Sequence, residues 1–77
     1  MKFNIGDSVL ITRNFDSANC KGVTGTVVKI HYTGRYGLRL DSFQKFGHTM
    51  CDTLPNGYGW NAEEESLTLL DSFEGNV

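Results

Sequence analysis

At 77 residues and a formal charge of −2, the chain is about half the usual domain size, which leaves room for one domain around one modest core and excludes a second. Its 39% hydrophobic, 21% charged and 12% aromatic residues are the composition of a folded globular protein and exclude a disordered chain. The small net charge conceals a split: residues 1–45 carry all seven Lys and Arg against three Asp, whereas residues 46–77 carry six acids and no Lys or Arg. Such halves either neutralise each other on a folded surface or steer a charged partner.

In chain order, Phe3-Asn4-Ile5-Gly6-Asp7-Ser8-Val9-Leu10-Ile11-Thr12 alternates apolar and polar residues around a Gly-Asp turn, which predicts strand. Asn14 to Gly22 is made of turn formers with one aromatic, Phe15, and reads as a loop. Gly22 to Ile30 is rich in β-branched residues and predicts a second, long strand, with its entry glycines suited to a bulge or bend. Thr33-Gly34 marks a hairpin turn. Tyr36 to Asp41 then alternates again, with Tyr36, Leu38 and Leu40 on one face and Arg39 on the other. Between Ser42 and Gly57 the pattern fails for about sixteen residues, long for a structureless connection, so this stretch is either a functional loop or a hairpin. Tyr58-Gly59-Trp60 restarts as a short strand, Ala62 to Ser66 suits a single helical turn, and Leu67 to Leu70 closes as the last strand. Asp71 to Val77 is expected to form a frayed polar tail.

About five short strands, glycine-rich bends and one helical turn before the last strand predict an all-β fold, a small antiparallel barrel over residues 1–70. Closure removes the strand edges that a sheet of this size would otherwise expose. No apolar run approaches the ~18 residues of a membrane span, so no membrane partner is expected. The start of the chain lacks the features of a signal peptide. Cys20 and Cys51 are too few for a disulfide framework, which points to a cytoplasmic protein with reduced thiols.

The order Phe-x-x-Gly-Asp-x-Val-x-Ile, Gly-x-x-Gly-x-Val at residues 22–27, Tyr-Gly-Leu-Arg-Leu-Asp and Gly-Tyr-Gly-Trp followed by acids resembles the SH3-like and KOW-like small barrels. In particular it resembles short proteins of bacteriophages and mobile elements, over nearly all of residues 3–70. The loop Gly47-His48-Thr49-Met50-Cys51-Asp52 before the Gly-x-Gly-Trp element is part of that likeness. The chain departs from the pattern at Asn61-Ala62, where relatives continue with a bulky residue and a proline. The resemblance implies an SH3-like barrel and an accessory protein that binds a host or phage protein, with extended peptides received by aromatic rings between loops.

For chemistry, His48 and Cys51 have a His-x-x-Cys spacing that Cys20 and His31 could complete for zinc. A structural zinc site brings two close pairs and here there is one, so neither metal nor cofactor is expected. No third group marks a Cys-His nucleophile, and no glycine motif for phosphate precedes a helix, so the chain reads as a non-enzyme. Glu63-Glu64-Glu65 is a solvated face, a mimic of nucleic-acid phosphates or a contact for a basic patch on a protein. The aromatic residues Tyr32, Tyr36, Tyr58 and Trp60 exceed what one tiny core needs. With Arg35, Arg39 and His48 they are the candidate binding residues, Trp60 and Tyr36 serving either core or surface. Trp60, the His48 loop and Arg39 are expected to meet.

The leading expectation is a non-catalytic binding module, a phage or mobile-element accessory protein that modulates a host protein, as a counter-defence inhibitor would. A KOW-like nucleic-acid module, motivated by Lys29, Arg35 and Arg39, is the alternative, and the acidic balance weighs against it. An oligomer clamping a small anionic nucleotide with arginines of neighbouring subunits is the third.

Overall fold

The structure, a computed structural model, describes residues 3–15 and 18–70; the predicted tail from Asp71 lies outside them. Five strands form one sheet: β1 (Ser8–Ile11), β2 (Thr24–Ile30), β3 (Tyr36–Leu40), β4 (Gly59–Ala62) and β5 (Leu67–Leu69), with a 3-10 turn at Glu64–Ser66 directly before β5. The strand order is β4-β3-β2-β1-β5, and every pair is antiparallel. The all-β expectation, with five strands and a helical turn before the last, is met. None of the helices among the described residues is long and apolar enough to cross a membrane.

Alternation builds the core. Val9 and Ile11 from β1, Val27 from β2, Leu38 and Leu40 from β3, Ala62 from β4 and Leu67 from β5 are all buried around one centre. The sheet therefore curls until both ends share a core, in the manner of a barrel. β2 makes the bend, because its first residues pair with β1 while its whole length pairs with β3.

Three local features differ from the sequence reading. Phe3 and Ile5 do not share a face: Asn4 and Asp7 close a turn through Asp7 N–H to Asn4 O at 3.0 Å and Asn4 N–H to Asp7 Oδ2 at 2.8 Å. That turn sends Phe3 into the core and leaves Ile5 exposed. The irregularity in β2 lies between Val27 and Lys29 and not at its entry glycines. Gly25 serves a close approach instead, since a Cβ there would stand 2.7 Å from the Arg39 carbonyl oxygen.

Tyr36, counted among the binding candidates, is corrected to a core residue. It is fully buried, its ring meets Phe3 edge-on at 5.2 Å, and its hydroxyl accepts the Phe3 N–H at 3.3 Å and donates to Glu64 Oε1 at 3.4 Å. A buried hydroxyl needs partners, and here the partners come from the start of the chain and from the 3-10 turn.

Two substitutions separate the faces of β3. Tyr36→Phe removes the buried hydroxyl and its bonds to the Phe3 N–H and Glu64 and is expected to cost about 1–3 kcal/mol, whereas Arg39→Ala on the solvent face stays within about 0.5 kcal/mol. Urea unfolding followed by the fluorescence of the single tryptophan measures both, and equal losses would refute the assignment of faces.

Candidate functional site

The connection from Ser42 to Tyr58 is a folded loop and not a regular hairpin. Its backbone bonds to itself and to β4: Gln44 N–H reaches Gly57 O at 2.9 Å, and His48 exchanges both main-chain bonds with Gly59 at 2.8 and 2.7 Å. His48 thus forms an isolated antiparallel bridge on the outer edge of β4. The approach is possible because residue 59 is glycine, where a Cβ would lie 2.6 Å from the His48 carbonyl oxygen.

Immediately after His48 the chain turns left-handed for three residues, Met50, Cys51 and Asp52, with φ of 51°, 56° and 65°. None is glycine, and each such residue costs roughly 1–2 kcal/mol. The segment is held by bonds from Thr53 N–H to Thr49 O, Leu54 N–H to Thr49 O and Asp52 N–H to Thr49 Oγ1. The Met50 N–H donates to His48 Nδ1 at 3.1 Å, which assigns the ring proton of the neutral imidazole to Nε2.

Two clefts flank this bridge, each about 190 Å³. The inner one opens at the seam between β4 and the end of β1. Phe15, His48 and Trp60 line it over a floor of Ile11 and Ala62, with Arg13, Arg35 and Glu63 at its rim. Three rings crowd Trp60: Phe46 edge-on at 4.8 Å, Phe15 edge-on at 6.3 Å and His48 tilted at 6.1 Å. Arg35 meets Glu63 at 3.7 Å, both half exposed, a pair worth at most about 1 kcal/mol and free to rearrange around a ligand. The outer cleft lies on the opposite face of β4, lined by Lys29, His31, His48, Met50, Cys51, Thr53 and Asn61. There His31 Nε2 and Asn61 Oδ1 are 2.8 Å apart.

Of the expected binding residues, the fold brings together Trp60, His48 and Arg35. Arg39 is not with them. It pairs with Gly59 while Trp60 pairs with Leu38, so alternation sends Arg39 to the outer face and Trp60 inward. Tyr32 stands fully exposed on the β2–β3 turn, and Tyr58 packs edge-on with Phe43 at 6.3 Å; neither lines the inner or the outer cleft. Residues the sequence reading did not select as binding contacts are Arg13, Phe15, Phe46, Met50 and Asn61. Phe15 carried a signal, as the lone aromatic in a loop of turn formers; Phe46 and Asn61 carried none without the loop's path.

Cys20 is buried, its thiol donating to Arg13 O at 3.3 Å, while Cys51 is exposed. Among the described residues no group of three or more His, Cys, Asp or Glu is placed to hold a metal ion. Glu63 and Glu65 are exposed as a solvated face would be, but Glu64 is tied to Tyr36.

The left-handed turn makes a stability prediction. Asp52→Gly relieves backbone strain and is expected to raise stability by roughly 0.5–1 kcal/mol, after the entropy that glycine adds to the unfolded chain. Asp52→Val is expected to lower it by about 1 kcal/mol or more, and the shift of the urea midpoint reads both. Compared with family models, curated proteins and solved structures, the chain matches none of them.

Proposed function

We propose that the chain is a non-catalytic module that binds another protein by taking one of its side chains into the Trp60 cleft. The observation that carries this reading is the cleft itself: three aromatic or imidazole rings, Phe15, His48 and Trp60, line it, Phe46 packs edge-on against Trp60, and two arginines stand at the rim. Rigid rings beside arginine are the residues that most often anchor protein interfaces. Size favours a side chain over a whole small molecule, because about 190 Å³ falls below the roughly 300–1,000 Å³ of cofactor and small-ligand pockets. Half-exposed Phe15 is apolar surface that a partner would cover. The resemblance to phage and mobile-element barrels supports a host protein as that partner, modulated by occupation of its working surface.

A nucleic-acid reading retains one observation in its favour. Lys29 and Arg39 project from the same outer face of β2 and β3, at register positions facing Gly37 and Thr26. Two cations on a chain of net charge −2 are a sparse footprint for phosphate binding.

Capture from bacterial lysate separates the two. Phe15→Ala and Arg13→Glu are surface changes expected to reduce a specifically captured protein at least tenfold, whereas Arg39→Glu leaves it unchanged. Salt-sensitive retention of an oligonucleotide that Arg39→Glu abolishes and Phe15→Ala does not would replace the first reading with the second.

A further inference from the structure

We infer that an extended segment of the partner adds as a strand to the free edge of β4, with its side chains falling alternately into the two clefts. The inference deepens the proposed function and rests on its reading of the Trp60 cleft. It starts from the main chain. Gly59 spends its outward N–H and C=O on His48. Two residues on, Asn61 presents its N–H and C=O in the same outward direction. Among the described residues no main-chain bond on that edge involves Asn61. The His48 bridge therefore ends after one residue pair, and an incoming strand would continue its ladder along Asn61 and end on the Glu63 N–H, since the Glu63 carbonyl already accepts the Ser66 N–H at 2.9 Å.

Both clefts include His48 and Asn61 in their walls and lie on opposite faces of this edge. A strand displays successive side chains to opposite faces. The partner residue facing Asn61 would thus direct its side chain into the outer cleft, and its neighbours would direct theirs into the inner one, over Trp60. Main-chain bonds supply affinity in such strand addition and alternate pockets supply selectivity.

Charge and polarity choose the sequence. The inner cleft has an apolar floor of Ile11 and Ala62 with aromatic walls, which suits a Leu-sized side chain. The outer cleft contains Lys29, His31 and the Asn61 amide and no carboxylate, and among the described residues no carboxylate pairs with Lys29. An acidic side chain fits there. The occupant is an extended segment of another protein that alternates bulky apolar and acidic residues.

The test uses the full chain, labelled for amide NMR, with the capped peptide Thr-Glu-Leu-Glu-Leu-Glu-Thr as probe. Binding is expected to shift the Asn61 and Glu63 amides and to change the emission of Trp60 saturably. A peptide methylated at the amide nitrogen that meets Asn61 O is expected to bind at least tenfold more weakly. A probe with Lys in place of Glu should weaken to a similar extent and be rescued by Lys29→Glu, an exposed position whose exchange leaves the core intact. If the methylated peptide binds as well as the parent, strand addition is overturned while the Trp60 cleft reading stands. If no probe moves the Asn61 amide at millimolar concentration, strand addition is likewise overturned, and lysate capture decides the cleft reading independently. Shifts of the same amides on raising protein concentration alone would assign the edge to a second copy of this chain, and tighter binding of an oligothymidylate would assign it to nucleic acid. Either result overturns the peptide proposal.

Discussion

The hydroxyl of Tyr36 joins three stretches of chain that lie far apart in sequence. It accepts a hydrogen bond from the Phe3 N–H and donates one to Glu64, while its ring lies fully buried in the core. A domain this small gains only a few kcal/mol from its apolar core, about 3–5 by general experience, so one buried polar junction is a sizeable share of the total. It also constrains shape. With Glu64 held to the core, the 3-10 turn closes over the end of the curled sheet and delivers β5 to β1, and the seam beside β4 is left where that turn crosses.

The seam is consequently a product of incomplete closure. β4 and β5 are the two edges of the sheet, and the His48 bridge covers one residue pair of the β4 edge. Exposed edges invite unwanted pairing, which proteins limit with short strands, covering loops and charge. Here β4 is four residues long, the Ser42–Tyr58 loop shields its beginning, and Glu63 follows its end. What stays open is short and bordered by a cleft on each face.

The left-handed run at Met50, Cys51 and Asp52 is the costliest backbone in the described chain. Its effect is to fold the loop back so that Met50 is buried, its sulfur and terminal methyl lying beside the face of Gly37, and the wall of the outer cleft is formed. Strain of this kind persists only where surrounding bonds over-determine it, and Thr49, Thr53 and His48 supply those bonds. His48 therefore has two duties, holding the strained turn through Nδ1 and facing Trp60 with its ring.

The sequence by itself determined the strands, because alternation of apolar residues and the placement of Gly, Asn and Asp are local properties that a curled sheet preserves. Tyr36, Leu38 and Leu40 on one face with Arg39 on the other, the Thr33-Gly34 turn and the helical turn before Leu67 were all legible for that reason. It also marked Trp60, His48 and Arg35 as candidate binding residues and set Trp60 beside the His48 loop, but it put Arg39 with them where the fold puts Arg35. Only the tertiary structure decided that Arg39 is excluded from the cleft, since the parity of β3 matters only once the partner of Trp60 across the strands is known. Only it decided that Phe46, Phe15 and Asn61 belong to the site. The path of the Ser42–Tyr58 loop is set by contacts such as His48 with Gly59, between residues far enough apart in sequence that no periodicity links them.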